Sequence, residues 1–470
     1  MNCKLEKLEI PPEQPFKNCK LGREKYAEIL KAVINTYKKG FVLALNGKWG
    51  TGKTTFVEMW KAYLELDNFH TLYFNAWEND FISDPLVGLL GELKKINTQQ
   101  KTEETFLSVI NTAGKIVSNA FPAMIKGVVK QYAGEDVANI LSDCTKEGSL
   151  IFKKEIENYE SQKSGLINFR QELQKFVDAV CGEKPLIFII DELDRCNPHY
   201  AVKVLERIKH LFNIPNIIFV LSIDKQQLSN SIRGYYGSDL IDADEYLKRF
   251  IDIEYNLSEP DTEKFCNYLY DYYDFEVYEN ITGTRHEIKE SFLITVSILF
   301  KHKKLSLRQI EKVFAHIRLT LNMYESFNQT IYLELVCLLT YFRICEPDCY
   351  DKITHNNYSI QELIDQLETI IPKQILHIQL KNSYSPNRHF CFTLALLLKC
   401  YSFSSNNLDS EDNTLIKTLS QSKPEINFNI RTIDKETLLE ALIWVSQGNK
   451  ILPLKQITNR IDLLENFIDC

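Results

Sequence analysis

Short apolar runs alternate with amphipathic stretches through the first half of the chain. The runs that predict strands are Phe41–Leu45, His70–Phe74, Leu186–Ile190 and Asn216–Ile223. The stretches with apolar residues at helical spacing are Leu21–Tyr37, Leu166–Val180 and Tyr200–Phe212. Strands that are apolar throughout and alternate with helices are typical of a parallel sheet covered by helices. We therefore predict an α/β core.

The second half of the chain, from Pro260 onward, has a helical pattern to its end. Long apolar stripes predict helices at Glu287–Lys301, Leu305–Leu321, Tyr332–Ile344, Gln361–Ile371 and Phe390–Tyr401. We find no group of His, Cys, Asp or Glu in this half that indicates a second active site. This region is therefore predicted to be an α-helical region without chemistry of its own.

The segment Gly47–Thr54 (GKWGTGKT) matches the P-loop pattern G-x-x-x-x-G-K-[ST]. It follows a predicted strand and precedes a helix that we predict to begin at Thr55. Glycines permit the backbone to curl around a phosphate, whose charge the loop amides and the helix N-terminus then meet. Lys53 is predicted to contact the β- and γ-phosphates, and Thr54 to bind Mg²⁺. The predicted nucleotide-binding residues are Gly47, Lys48, Trp49, Gly50, Thr51, Gly52, Lys53, Thr54 and Thr55.

Asp191 and Glu192 follow the apolar run Leu186–Ile190, at the strand end where open α/β sheets bind ligands. We predict that Asp191 holds Mg²⁺ through water and that Glu192 orients or deprotonates the attacking water. The alternative is that both acids form a solvated turn or cap the helix after Pro198. Asp224 follows the next strand. It could contact the γ-phosphate from there, and a purely turn-forming role is an equally good interpretation.

The interval between Thr54 and Asp191 is longer than a minimal nucleotide-binding core needs. Apolar residues at helical spacing within Phe106–Tyr132 predict a helical hairpin that covers the core or a partner. A membrane-surface helix is the alternative. The predicted division of the chain is residues 1–20 as an N-terminal strap, 21–95 and 166–259 as the core, 96–165 as a helical insertion and 260–470 as the helical region.

Composition narrows the class of protein. A length of 470 residues fits two or three domains. The net charge of −8 argues against a generally basic nucleic-acid surface, and the cluster Lys301–Lys304 is either a local basic patch or a solvated turn. Twelve cysteines without CxxC spacing, and an N-terminus without a signal sequence, predict reduced thiols in a cytoplasmic protein. No apolar run is long enough to predict a membrane span.

The chain resembles the KAP family of P-loop NTPases over roughly Leu21–Ile317. The matching blocks, in order, are LGREKYA, LNGKWGTGKTTF, YFNAWEND, IIDELDRCNP, FVLSID, EYLKRFID and LSLRQIEKV. The family usually has two aspartates where this chain has Asp191 and Glu192. Many members carry membrane segments where this chain has the lysine-containing Phe106–Tyr132. The resemblance implies a soluble ATPase that uses ATP and Mg²⁺ in bacterial defence against phage, with a protein partner that carries the effector chemistry.

The family is related to ATPases that act as oligomers or nucleotide-gated switches. Arginines are therefore of interest as possible contacts of the γ-phosphate. Arg249 and Arg308 are candidates to reach a γ-phosphate from a neighbouring subunit of a homo-oligomer or from a helical lid. The alternative is that they are solvated or salt-bridged. Ser306 and Gln309 form a capping-box pattern, which places Arg308 on the first turn of a helix. Arg195 is predicted to brace the acidic turn by an ion pair.

The prediction is an α/β P-loop NTPase core with a parallel sheet, a helical insertion and an α-helical C-terminal region. Its predicted catalytic residues are Glu192, Lys53, Arg249 and Arg308, and its metal ligands are Thr54 and Asp191. The predicted reaction is in-line attack of water on the γ-phosphate of ATP. The alternative function is a slow nucleotide-gated switch that binds a partner through the helical region with little turnover. A small-molecule kinase needs an acceptor pocket that the sequence does not indicate.

Overall fold

The structure is a computed structural model that describes residues 5–37, 40–96, 102–113, 147–277, 287–323, 332–372, 386–404, 434–447 and 452–463. Contacts divide the chain into two compact units, residues 8–259 and residues 1–7 together with 260–470. All strands of the described chain belong to the first unit. The finer domain division made from the sequence remains a prediction.

The first unit is built on a five-stranded parallel sheet with the order β2-β3-β4-β1-β5. Its strands are β1 (Val42–Asn46), β2 (Thr71–Asn75), β3 (Leu186–Asp191), β4 (Ile217–Ile223) and β5 (Ile253–Asn256). β3 and β4 are buried along their whole length because helices cover both faces of the sheet. The predicted α/β core is confirmed, and each predicted strand is shifted by about one residue at an end.

Helices of the first unit pack on both faces of this sheet. They are α1 (Glu24–Thr36), α2 (Lys53–Leu66), α3 (Pro85–Lys94), α4 (102–113), α5 (Glu147–Cys181), α6 (Pro198–Leu211), α7 (Lys225–Tyr236) and α8 (Ala243–Leu247). One apolar layer contains the stacked rings of Phe188 and Phe219, and the opposite layer contains those of Phe56 and Trp60. These layers hold the strand ends, and therefore the loops that follow them, in fixed positions.

The described part of the predicted insertion packs on the core. Phe106, Val109 and Ala113 of α4 are buried, and the ring of Phe106 contacts that of Phe176 on α5 at a centroid distance of 5.3 Å. The remainder of the predicted hairpin at Phe106–Tyr132 lies outside the described residues. Within the described ranges, no helix combines the length and apolar character that crossing a membrane requires.

The second unit is helical in all its described residues with regular structure. Its helices are α9 (Thr262–Tyr272), α10 (Glu287–His302), α11 (Leu307–Asn322), α12 (Leu333–Cys345), α13 (Pro347–Thr354), α14 (Ile360–Ile370), α15 (Pro386–Ser404), α16 (Lys435–Gln447) and α17 (Leu454–Ile461). Contacts among the rings of Phe275, Phe292 and Phe314 form part of its core. The predicted capping box of Ser306 and Gln309 is confirmed at the start of α11.

Candidate functional site

The P-loop connects the end of β1 to the start of α2. Gly50 and Gly52 have φ values of 74° and 79°, in the left-handed region that glycine tolerates best. Gly47 is restricted by space, since a Cβ atom there would lie 3.3 Å from Thr51 Oγ1. Because Gly52 turns the chain directly into the helix, α2 begins at Lys53, whereas the sequence pattern predicted a start at Thr55.

Lys53 is 8% exposed and folds back onto the loop. Its Nζ donates hydrogen bonds to the carbonyl oxygens of Gly47 and the next residue, at 2.5 and 3.1 Å. Burial lowers the pKa of Lys53, and the nearby carboxylates of Asp194, Asp224 and Asp191 act in the opposite direction. The ammonium group therefore lies among acids while bonded only to neutral carbonyls, which a phosphate oxygen can replace as its acceptor.

Asp191 is completely buried at the end of β3. Its Oδ1 accepts the backbone N–H of Glu192 at 2.9 Å, and its Oδ2 accepts the hydroxyl of Tyr73 at 3.0 Å. Burial and the charge of Asp191 raise the pKa of Tyr73, so that this residue remains a neutral donor. Two donors therefore fix the orientation of the Asp191 carboxylate. Sequence reasoning missed Tyr73, since nothing in the run HTLYF distinguishes it from a packing residue.

Glu192 is held on both carboxylate oxygens. Its Oε2 accepts the side-chain amide of Asn75 at 3.2 Å, and its Oε1 forms an ion pair with Arg195 at 2.5 Å. Its φ of 60° is in the left-handed region, which is uncommon for a residue other than glycine. Burial raises the pKa of Glu192, whereas Arg195 and Asn75 lower it. The predicted brace of the acidic turn by Arg195 is confirmed.

Trp49 connects the P-loop to the ends of β3 and β4. Its indole Nε1 donates to Oδ2 of Asp194, and its backbone N–H donates to Oδ2 of Asp224 at 3.1 Å. Asp194 is 5% exposed, and its Oδ1 has no hydrogen-bond partner within the described parts of the chain. Burial raises the pKa of Asp194. Asp224 also caps α7 through the N–H of Gln227, as the turn interpretation of this residue predicted.

Arg23 approaches the same loop from the segment before α1. It is 3% exposed, and its guanidinium donates to the carbonyl oxygens of Gly52 at 3.1 Å and Thr51 at 2.7 Å. Arg23 belongs to the block LGREKYA, whose pattern predicts no role for this side chain. A buried arginine side chain directly against a phosphate-binding loop could not be recognised from the sequence, because the two segments meet only in the folded chain.

The structure does not place Arg249 beside the P-loop of its own chain. Arg249 is exposed in the turn before β5, and β5 runs parallel to β1. It therefore lies at the amino ends of the strands, whereas the P-loop lies at their carboxyl ends. Arg308 is exposed on the first turn of α11 in the second unit. The γ-phosphate contact from a neighbouring subunit or a lid remains a prediction for both arginines.

The side chains near the P-loop suit Mg²⁺. Thr54 is half-buried on the first turn of α2, Thr55 is exposed, and Asp191 contributes a fixed carboxylate. Mg²⁺ prefers oxygen ligands and is usually held by one or two protein groups together with water and phosphate. In the part of the chain that is described, no cluster of three or more His, Cys, Asp or Glu residues forms a cage for a metal. Thr54 and Asp191 thus provide oxygen atoms of the kind that Mg²⁺ prefers.

A family model described as the KAP family P-loop domain matches residues 23–329. Among curated proteins, the chain is 19% identical over 342 residues to the Phage T7 exclusion protein of Escherichia coli (strain K12). That alignment covers 67% of this chain and 42% of the relative, so the chain spans about two fifths of the relative's length. Among solved structures, the Aeropyrum pernix ORC2 protein in its ADPNP–ADP complexes is 14% identical, with 98% of this chain and 96% of that chain covered and a TM-score of 0.33.

Proposed function

This chain belongs to the KAP family of P-loop domain proteins, and we propose on that premise that it binds ATP with Mg²⁺ and hydrolyses it. The observation that carries the proposal is the meeting of the P-loop, Lys53, Asp191 and Glu192 at the carboxyl edge of one parallel sheet. That edge is where open α/β sheets bind their ligands.

The proposed roles follow from the chemistry of each group. The loop amides and Lys53 hold the phosphates, while Thr54 and Asp191 hold Mg²⁺, which neutralises charge on the phosphoryl oxygens. Glu192 accepts a proton from the attacking water. Its carboxylate has to be ionised for this role, and Arg195 favours the ionised form. Each carboxylate oxygen has two lone pairs, so Glu192 can accept the water while Asn75 and Arg195 hold its side chain in place.

We assign the energy of hydrolysis to the control of a partner protein that carries effector chemistry. The similarity to a protein named for phage exclusion supports a role in defence against phage, in the cytoplasm of a bacterium. We assign the binding of this partner to the helical unit that includes residues 260–470. The partner itself can be identified by mass spectrometry of the proteins that copurify with the chain.

The test compares Glu192→Gln with Glu78→Gln, an exposed acid in the loop after β2. Removing a general base slows a reaction by about 10²–10⁴-fold, while the phosphate contacts remain. We expect Glu192→Gln to bind Mg-ATP and retain it unhydrolysed in a single-turnover assay. Glu78→Gln should hydrolyse ATP as the wild type does. Hydrolysis by Glu192→Gln at the wild-type rate would show that Glu192 does not activate the water.

The second candidate function is a slow nucleotide-gated switch. The observation that favours it is the contact of Glu192 with both Asn75 and Arg195, which makes its carboxylate a weaker base toward the attacking water. A switch should retain nucleotide at near-stoichiometric levels through purification and turn over slowly. A partner-driven ATPase should instead lose its nucleotide readily and accelerate when the partner or DNA is added.

A further inference from the structure

We propose that Arg23 is a positioning residue of the phosphate site, which orients the P-loop from behind and provides a buried positive charge to the bound polyphosphate. The inference rests on the proposed nucleotide binding. It adds to the site a residue from the segment before α1, outside the Gly47–Thr54 motif.

The contacts of Arg23 set the direction of two amide groups of the P-loop. Nη1 and Nη2 of Arg23 hold the carbonyl oxygens of Gly52 and Thr51 at 3.1 and 2.7 Å. In a planar trans peptide the C=O and the following N–H point to opposite sides. The guanidinium therefore directs the N–H groups of Gly52 and Lys53 away from itself. Those N–H groups stand at the start of α2, where an anion is favoured.

The positive charge of Arg23 is buried. Across the described ranges, no carboxylate lies within ion-pair distance of Arg23, whose side chain bonds only to neutral carbonyls. Arg195 and Arg207 of the same unit are instead paired with Glu192 and Asp84, at 2.5 and 2.6 Å. A buried charge without a counter-charge is unfavourable. Burial accordingly lowers the pKa of Arg23 to about 10. A polyphosphate on the other side of the loop supplies the missing negative charge.

A positioning residue must itself be held, and the segment that carries Arg23 is held at several points. Gly22 has a φ of 61°, and the backbone N–H of Arg23 donates to Sγ of Cys19 at 3.5 Å. Upstream, the buried ring of Phe16 contacts the rings of Phe56 and Tyr63 on α2, at centroid distances of 6.2 and 5.9 Å. The segment before α1 is thus attached to the helix that begins at the P-loop. It forms part of the proposed site.

The experiment measures binding to the full chain by calorimetry for wild type, Arg23→Met, Arg23→Lys and a control. The control is Arg170→Met, because Arg170 also donates to a backbone carbonyl, that of His210, at 3.0 and 2.5 Å but away from the loop. The ligands are metal-free ATP, Mg-ATP, Mg-ADP and inorganic tripolyphosphate. We expect Arg23→Met to weaken binding by about 10- to 100-fold and Arg170→Met to leave it unchanged.

The dependence on ligand charge separates positioning from a purely structural role. Because the Arg23 charge acts on the phosphates, its loss should weaken the binding of metal-free ATP and tripolyphosphate more than the binding of Mg-ADP. Arg23→Lys keeps the charge but lacks the fork that spans two carbonyls, so its loss of affinity should be intermediate. Thermal unfolding without ligand shows whether Arg23→Met folds. If it does not fold, Arg23→Lys provides the test.

Three outcomes overturn the inference. One is wild-type affinity in Arg23→Met, or in Arg23→Lys if only that variant folds. Another is a loss by the same factor for every ligand, which indicates a structural role only. The third is a failure of the wild type to bind any of the nucleotides, which refutes the proposed function as well and is thereby distinguishable from the first two.

Discussion

The two units of the chain bury charge in different ways. In the first unit, the buried charged side chains of Arg23, Lys53, Asp191, Asp194 and Asp224 lie on the P-loop, against it or on the strand ends beside it. Burying charge costs free energy unless it is compensated. Their concentration around one loop is what a site for a charged ligand requires, and the apolar layers on both sides of the sheet hold them there.

The second unit uses buried and half-buried polar groups to join its helices. His316 on α11 contacts the carbonyl of Ile461 at 2.6 Å, and Arg343 on α12 pairs with Asp462 at 2.8 Å. The hydroxyl of Tyr350 on α13 donates to the same carboxylate at 3.2 Å. These bonds join three helices to the end of α17. The difference teaches that buried charge in the first unit is concentrated at one loop, whereas the half-buried charges of the second unit connect packed helices.

Lys53→Met is the largest expected disruption of the first unit. Without the ammonium group, the phosphates lose their charged donor, and we expect affinity for Mg-ATP to fall by about 100-fold or more. The control is Lys61→Met on the same helix, since Lys61 forms a surface ion pair with Glu65. Calorimetry on both variants checks the prediction. Equal affinity in the two variants would mean that the loop does not bind the phosphates as proposed.

A pair of tryptophan substitutions compares the units directly. Trp49→Phe removes the donor to the buried Asp194 carboxylate, which should lower the free energy of unfolding by about 1–3 kcal/mol. Trp444 on α16 is 57% exposed, and Trp444→Phe should change the free energy of unfolding by less than about 0.5 kcal/mol. Urea denaturation of both variants is the measurement. A larger loss in Trp444→Phe would contradict the contrast between the units.

Arg195→Met tests the electrostatics of Glu192. Because Arg195 lowers the pKa of Glu192, its removal should raise that pKa and move the acid limb of ATP hydrolysis to higher pH. Partly exposed ion pairs contribute about 0.2–1 kcal/mol, so the ratio of the rate at acid pH to the rate at neutral pH should fall by about 1.4- to fivefold. Arg170→Met is the matched control. A profile that shifts to lower pH would rule out this coupling.

The smallest expected effect belongs to the second unit. Burial lowers the pKa of His316 below its ordinary value of 6.5, so the unfolded state binds a proton more readily than the folded state. Stability should be fully present above pH 6.5 and decrease as the pH falls below it. Between pH 7 and pH 5.5 we expect Tm to fall by about 1–2 °C more in the wild type than in His316→Gln. Parallel melting curves for the two proteins would show that His316 is not responsible.

The sequence by itself determined the features that depend on local order. A strand that is buried on both faces is apolar throughout. An uninterrupted run of apolar residues is therefore enough to predict β1, β3 and β4. The P-loop and the capping box at Ser306 are also local, because the first spans eight consecutive residues and the second spans four. The edge strand β5 was missed because its sequence, IEYN, is short and half polar.

Only the tertiary structure decided which distant groups meet. Arg23 contacts a loop almost thirty residues away, and Trp49 reaches Asp194 across an interval of 145 residues. Tyr73 and Asp191 meet because β2 lies beside β3 in the sheet. The same topology places Arg249 at the amino ends of the strands, whereas the P-loop lies at their carboxyl ends. Periodicity identifies the buried face of an element, but the order of strands selects its neighbours, and that order is set by packing of the whole sheet.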